Sequence, residues 1–214
     1  MSFLKKIEVE NGVLGIWELT DTTDSLVAVF QFSESEEAEF KRFSLKKRQA
    51  EYLSTRLLLQ QMLGAKTEIT YQKSGRPQIK NSTKNISISH SADFVAIFIS
   101  DDLSGIDVEI ATRSIDKVTH RFLHKNELDW IEKSENPQFL KILFWCAKEA
   151  VYKCSNREGV QFDTQIFINP FDFGKTDCLL GKLTTQNQTD NYSLHYFSFK
   201  NNIFVYCVEV KNKF

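Results

Sequence analysis

The sequence predicts an α+β fold of two similar lobes, each a small antiparallel sheet packed with a long helix. Three observations predict it. The elements run strand, helix, strands, then helices, then strands, rather than in strict alternation. Each half contains one long helical block followed by short β-type runs. No low-complexity stretch or Gly/Ser/Pro linker separates the halves, so they are expected to pack as one unit. The junction falls near Ser100 to Gly105, giving an N-terminal lobe over 1–104 and a C-terminal lobe over 105–214.

In chain order, GVLGIWEL (Gly12 to Leu19) reads as a first strand, while the apolar run DSLVAVFQF fits a strand or a helix equally well by period. From Ser33 to Gly64 the composition is helical. Ser33 and Glu36 have the spacing of a capping box, in which each side chain satisfies the other residue's backbone N–H, and Gly64 supplies the stop. Leu45, Tyr52 or Leu53, Leu57, Leu59 and Leu63 are expected on the buried face of this block. EITYQKSGRPQIK reads as a strand and a Gly-containing turn, and NISISH, FVAIFIS and SGIDVE follow as short strands of a small sheet. A second helical block runs from about Ile115 to Cys154, with polar breaks near His124 and near Glu135–Pro137. After Gly159 strands return, ending in two alternating runs around Lys-Asn-Asn that signal a hairpin. Repetition of sequence between the halves is not visible.

Composition narrows the function classes. A chain of 214 residues can bury a sizeable core without disulfides or metal. Twenty-seven basic and 28 acidic residues leave a formal charge of -1, which argues against a dedicated binder of nucleic acid or of an anionic membrane. Cys146, Cys154, Cys178 and Cys207 form no CxxC pair and no metal-ligand spacing, so reduced thiols in a cytoplasmic protein are expected. The N-terminus lacks an apolar run of signal-peptide length, and no stretch of about 18 apolar residues predicts a membrane span.

Four constellations could carry chemistry. Asp107 and Glu109, in SGIDVEIATRS, stand at i and i+2 of a strand and so point the same way. They repel unless a positive partner lies between them. An isolated D-x-E triplet is most simply a solvated strand end, but two carboxylates on one face are also half of a Mg²⁺ site, because that ion takes oxygen ligands. In FWCAKEAVYK, the residues Trp145, Glu149, Tyr152 and Lys153 fall along one helix face, with Lys148 beside it. An amphipathic surface pair would explain the charges alone; bulky aromatics and both charges in one stripe suit a cleft wall. Glu149 could then be a third carboxylate, and Lys153 could meet a phosphate. In KSGRPQI and SISHS, a turn framed by Gly75 and Pro77 could present Arg76 to a phosphate, and His90, between Ser89 and Ser91, could donate to another. Each is also consistent with an ordinary turn or a histidine satisfied by backbone. The basic cluster KRFSLKKR, Lys41 to Arg48, reads first as a solvated helix face, second as a patch that steers a phosphorylated ligand.

Taken in order, GRP, SISHS, GIDVE, RFLHKNE and WCAKEAVYK resemble the successive motifs of the 4′-phosphopantetheinyl transferase superfamily, in its longer, two-lobed, single-chain branch (surfactin-synthetase-activating type). The likeness runs from about Arg42 to Gly159. It implies two lobes related by pseudo-twofold symmetry with the active site in the cleft between them, and a monomer. It also implies transfer of the phosphopantetheine arm of coenzyme A to a serine of an acyl or peptidyl carrier protein, leaving adenosine 3′,5′-bisphosphate. By the same resemblance Asp107, Glu109 and Glu149 would hold Mg²⁺. Arg76 and His90, with Ser89 beside them, would meet the nucleotide end of coenzyme A, assisted by Arg48 and Arg56. Lys148 and Lys153 would face its diphosphate, and Trp145 would pack beneath the site. Deprotonating the carrier serine needs a base, for which Glu149 and Glu127 are both candidates, directly or through water. Two departures from the family pattern are Ser87 in place of an asparagine before SHS, and CSNREGV, where only Gly159 remains of a glycine-rich turn. Arg113 to Phe122, with Ile115, Val118 and Phe122, is expected to dock the carrier. A non-catalytic module of the same fold, binding coenzyme A or carrier proteins, is the alternative; a nucleic-acid binder built on Lys41 to Arg48 is a third.

Overall fold

The computed structural model describes residues 2–210. The chain divides into two compact units, Met1–Asp101 and Asp102–Phe214. In the first, β1 (Phe3–Val9) and β2 (Gly12–Glu18) form a hairpin. Helices α1 (Thr23–Val29), α2 (Glu34–Phe40) and α3 (Lys46–Leu63) follow, then β3 (Ile69–Tyr71), β4 (Pro77–Ile79), β5 (Asn85–His90) and β6 (Phe94–Ser100). The strands form one antiparallel sheet in the order β1-β2-β6-β5-β4-β3, and α3 packs on β2 and β6.

The second unit opens with β7 (Ser104–Ile110), a 3₁₀ segment (Asp116–Arg121), α4 (Lys125–Ile131) and α5 (Pro137–Ser155). It closes with β8 (Ile166–Ile168), β9 (Cys178–Thr184), β10 (Thr189–Phe199) and β11 (Asn202–Glu209), in the antiparallel order β7-β11-β10-β9-β8. Helix α5 packs on β7 and β11. With β1 set aside, both units have one topology: a strand, short helical segments, a long helix, then four strands of which the last returns to pair with the first. Each therefore buries the long helix against the oldest and newest strands of its own sheet, and each has its own apolar core.

A glycine sets the closest approach in each unit. A Cβ at Gly105 of β7 would lie 1.9 Å from the Ala150 carbonyl oxygen and 2.9 Å from the Cys154 nitrogen, so α5 rests on the strand backbone itself. At Gly15 of β2, a Cβ would meet Met62 and Leu58 of α3.

Local expectations hold in several places. The Ser33–Glu36 capping box is present, Gly64 ends α3 with a left-handed φ of 68°, and His124 and Asn136 cap α4 and α5 where the polar breaks were expected. The final hairpin turns on Lys200 and Asn201, both with positive φ, so the turn is one residue tighter than Lys-Asn-Asn and Asn202 already belongs to β11.

Other expectations are corrected. The first strand is Phe3–Val9, missed because its outward-facing residues hide the alternation, although Asn11-Gly12 marks the hairpin. The ambiguous DSLVAVFQF is largely helix. The block from Ser33 is two helices, because Arg42 and Phe43 close tight turns and the Phe40 and Phe43 rings fold back onto Tyr52, a tertiary cause that helical composition does not reveal. Leu45 and Leu63, expected in the core, are exposed: Leu45 stands outside the helix at its N-cap, and Leu63 occupies its last turn.

Candidate active site

Strand β7 is an edge of its sheet, and its register places Asp107 opposite Val205 and Glu109 opposite Ile203 of β11. Both acids therefore stand beside apolar side chains, where water screens them poorly. Asp107 is 5% exposed. Its positive partner is Lys153 of α5, whose ammonium donates to Asp107 Oδ1 at 2.7 Å and to the Ile106 carbonyl at 3.0 Å. Glu109 Oε1 accepts from the Trp145 indole N–H at 3.1 Å and from the Arg113 guanidinium. The sequence did not single out Arg113 for this pairing; it sits four residues after Glu109, on the far side of the turn that ends β7.

Helix α5 supplies the opposite wall. Trp145, Glu149, Tyr152 and Lys153 are the partly exposed members of a helix whose other positions in that stretch are buried, as the stripe predicts. Burial first, then the Asp107 and Glu109 carboxylates, push the Glu149 carboxyl up from 4.5 to about 7, against the pull of Lys153. The buried Cys146 thiol is pushed up by the same two acids, after burial. The three carboxylates thus share one electrostatic neighbourhood. Among the described residues no three His, Cys, Asp or Glu side chains are gathered as a ready metal cage, and Lys153 and Arg113 hold two of the three acids. A cavity of about 540 Å³ opens beside this wall, lined in part by Arg113, Val118, Phe122, Trp145, Glu149 and Phe162.

Lys148 and Glu127 lie elsewhere. Both are fully buried and form an ion pair of 2.6 Å, and the Lys148 ammonium also donates to the carbonyls of Phe162 (2.9 Å) and Ile166 (2.7 Å). Burial lowers the Lys148 pKa, with Glu127 pulling it back. Glu127 accepts in addition from the backbone N–H groups of His124 and Ile168, both at 2.7 Å. Lys148, expected to face a diphosphate, thus has every donor of its ammonium used inside the core, and the carboxylate of Glu127, expected as a base, is sealed beside it.

The remaining candidates belong to the first unit. Arg48 is exposed on the first turn of α3 and pairs with Glu51 at 2.9 Å. Arg76 is half-buried in the β3–β4 turn, where Gly75 adopts a positive φ. Ser89 is buried on β5. His90, exposed at the end of β5, has Nε2 3.0 Å from Thr55 Oγ1 of α3. The Thr55 hydroxyl already donates to the Glu51 carbonyl, so His90 is the donor in that bond. Arg56, expected to assist at the nucleotide end, is 1% exposed, 2.9 Å from Glu39 and 3.6 Å from Glu36, with its guanidinium 3.3 Å above the Tyr52 ring. Ile115 and Phe122, expected on a docking surface, are buried in the second unit's core, and Val118 is half-buried.

No helix of the described residues is long and apolar enough to cross a membrane. Residues 104–208 match the family model of the 4′-phosphopantetheinyl transferase superfamily. The chain is also 29% identical over 93 residues to a protein of Haemophilus influenzae provisionally named a 4′-phosphopantetheinyl transferase. That match covers 41% of this chain and 40% of the relative's length.

Proposed function

From the match of residues 104–208 to the family model of the 4′-phosphopantetheinyl transferase superfamily, we propose that the protein moves the phosphopantetheine arm of coenzyme A onto a serine of an acyl or peptidyl carrier protein, as a member of the two-lobed branch of that superfamily. The observation that carries this reading is the wall on which Asp107, Glu109 and Glu149 act on one another, with Lys153 between α5 and β7.

The donor set suits Mg²⁺: it consists of carboxylate oxygens, and the repulsion from Asp107 and Glu109 that adds to burial in raising Glu149 to about 7 is a charge surplus a divalent cation relieves. Asp107, Glu109 and Glu149 would hold it, and when bound it would neutralise charge on the diphosphate. Lys153 is suited to share that task, being 27% exposed at its side chain where Lys148 is sealed. In the transfer, the serine oxygen forms a bond to the phosphorus that bears the pantetheine arm, the bond from that phosphorus to the bridging oxygen breaks, and adenosine 3′,5′-bisphosphate leaves. Glu149, on the cavity wall, is the base assigned to the serine proton, directly or through water. Arg76 and His90, with Ser89 next to His90 in sequence and with Arg48, are assigned to the nucleotide end.

Intact-mass measurement tests this. Apo carrier domains from fatty-acid, polyketide and peptide synthesis, each incubated with the protein, coenzyme A and Mg²⁺, are expected to gain one phosphopantetheine in at least one case. Asp107→Ala is expected to abolish the gain while the circular dichroism spectrum stays native. No gain across the panel contradicts the transferase reading, and coenzyme A binding without turnover would favour the non-catalytic module.

A further inference from the structure

The two units repeat a packing device, and the repeat gives Lys148 its role. In each unit a short helix carries a glutamate at the third position of a capping box: Glu36 of α2, reciprocal with Ser33, and Glu127 of α4, reciprocal with His124. In each, that glutamate meets a fully buried cation of the long helix, Arg56 at 3.6 Å from Glu36 and Lys148 at 2.6 Å from Glu127. The strand glycines fix the alignment independently. Gly15 abuts Leu58 and Met62, and Gly105 abuts Ala150 and Cys154, so Arg56 and Lys148 each precede by two positions the residue on which the glycine rests. Arg56 is enclosed by its own unit's carboxylates and Tyr52 ring, and holds α2 against α3.

Resting on the transferase reading above, we propose that Lys148 is a positioning residue, a buried strut that reaches the reaction only through Phe162 and Trp145 and does not touch the diphosphate. The ammonium has three donors and three acceptors, Glu127 and the carbonyls of Phe162 and Ile166. It thereby joins α5 to α4 and to the segment that leads into β8. Held by its carbonyl, Phe162 sets its ring 5.9 Å from Trp145 and 5.5 Å from Tyr152. Trp145 in turn donates to Glu109. Taking a phosphate on Lys148 would require the ammonium to abandon buried partners and strand the Glu127 charge.

The test uses Glu127→Gln/Lys148→Met, which removes both charges at nearly constant volume and leaves no buried charge alone. Amide exchange over 160–166 is expected to quicken by roughly tenfold or more. The Kd for coenzyme A with Mg²⁺, read by titration calorimetry, stays within about twofold of wild type, and kcat for transfer falls by roughly tenfold or more. Phe162→Ala, which leaves the ion pair intact, reproduces the kcat loss, with Kd likewise within about twofold of wild type. Coenzyme A affinity weakened by about tenfold, with exchange over 160–166 unchanged, puts the ammonium on the ligand and overturns the proposal. If the double variant fails to fold, an unaltered kcat in Phe162→Ala overturns it instead. If the wild type transfers nothing, the transferase reading fails, and the exchange of 160–166 alone decides the strut.

Discussion

Glu149 concentrates the electrostatic cost of the site. Its carboxyl, raised from 4.5 to about 7, binds a proton in the folded protein over a range where the unfolded chain has released it. The metal-free protein therefore holds this contribution to stability in full below about 4.5 and loses it as pH rises through about 7. Glu149→Gln is expected to flatten the profile and to stabilise the metal-free protein above pH 7 by about 1–2 kcal/mol, discounted for partial exposure. Thermal melts of both proteins between about pH 5 and 8 check this; a wild-type Tm that rises over that interval, or parallel curves, would contradict it. At the same scale, the sequence raised the question of what lies between two acids on one strand face. Lys153 and Arg113 are the answer among the described residues, one predicted beside the site and the other found only in the fold.

At the scale of elements, β7 and α5 position the site by direct backbone contact. Gly105 is required there because any side chain would enter the Ala150 carbonyl and the Cys154 amide, neither of which can swing aside. Gly105→Ala is expected to cost about 3 kcal/mol by forcing helix from strand. It should also weaken the 2.7 Å bond between Lys153 and Asp107, so urea denaturation and transfer activity should fall together. Full stability in this variant would show that the contact relaxes. The element boundaries were legible where they depend on local chemistry, such as the capping box at Ser33 and Glu36 or the stop at Gly64. They were not legible at the α2–α3 break, where ring packing onto Tyr52 decides.

For the whole molecule, a formal charge of -1 supplies no general attraction for an acidic partner, so recruitment of a carrier has to be local. Arg113 and Arg121 line the 540 Å³ cavity and give it a basic rim. Arg121 is the cleaner probe, since Arg113 also holds Glu109. Arg121→Glu is expected to raise KM for the carrier by about tenfold with little change for coenzyme A; equal changes in both would place docking elsewhere.

The sequence by itself determined the α+β class, the capping chemistry, the same-face pair Asp107 and Glu109, and the stripe of Trp145, Glu149 and Lys153, because each follows from spacing along a single element. Tertiary structure alone decided which cations serve the core. Arg56 and Lys148 look from sequence like phosphate contacts, yet each meets a capping-box glutamate in its own unit, about 20 residues upstream. It also exposed the internal repeat, in which Gly15-Ile16-Trp17 and Gly105-Ile106-Asp107 occupy equivalent strands. A buried tryptophan in one unit stands where the other carries a carboxylate, so the shared architecture survives in topology and in a few scattered matches, the strand glycine, the capping-box glutamate and the buried cation, which only the fold lines up because they lie far apart along the chain.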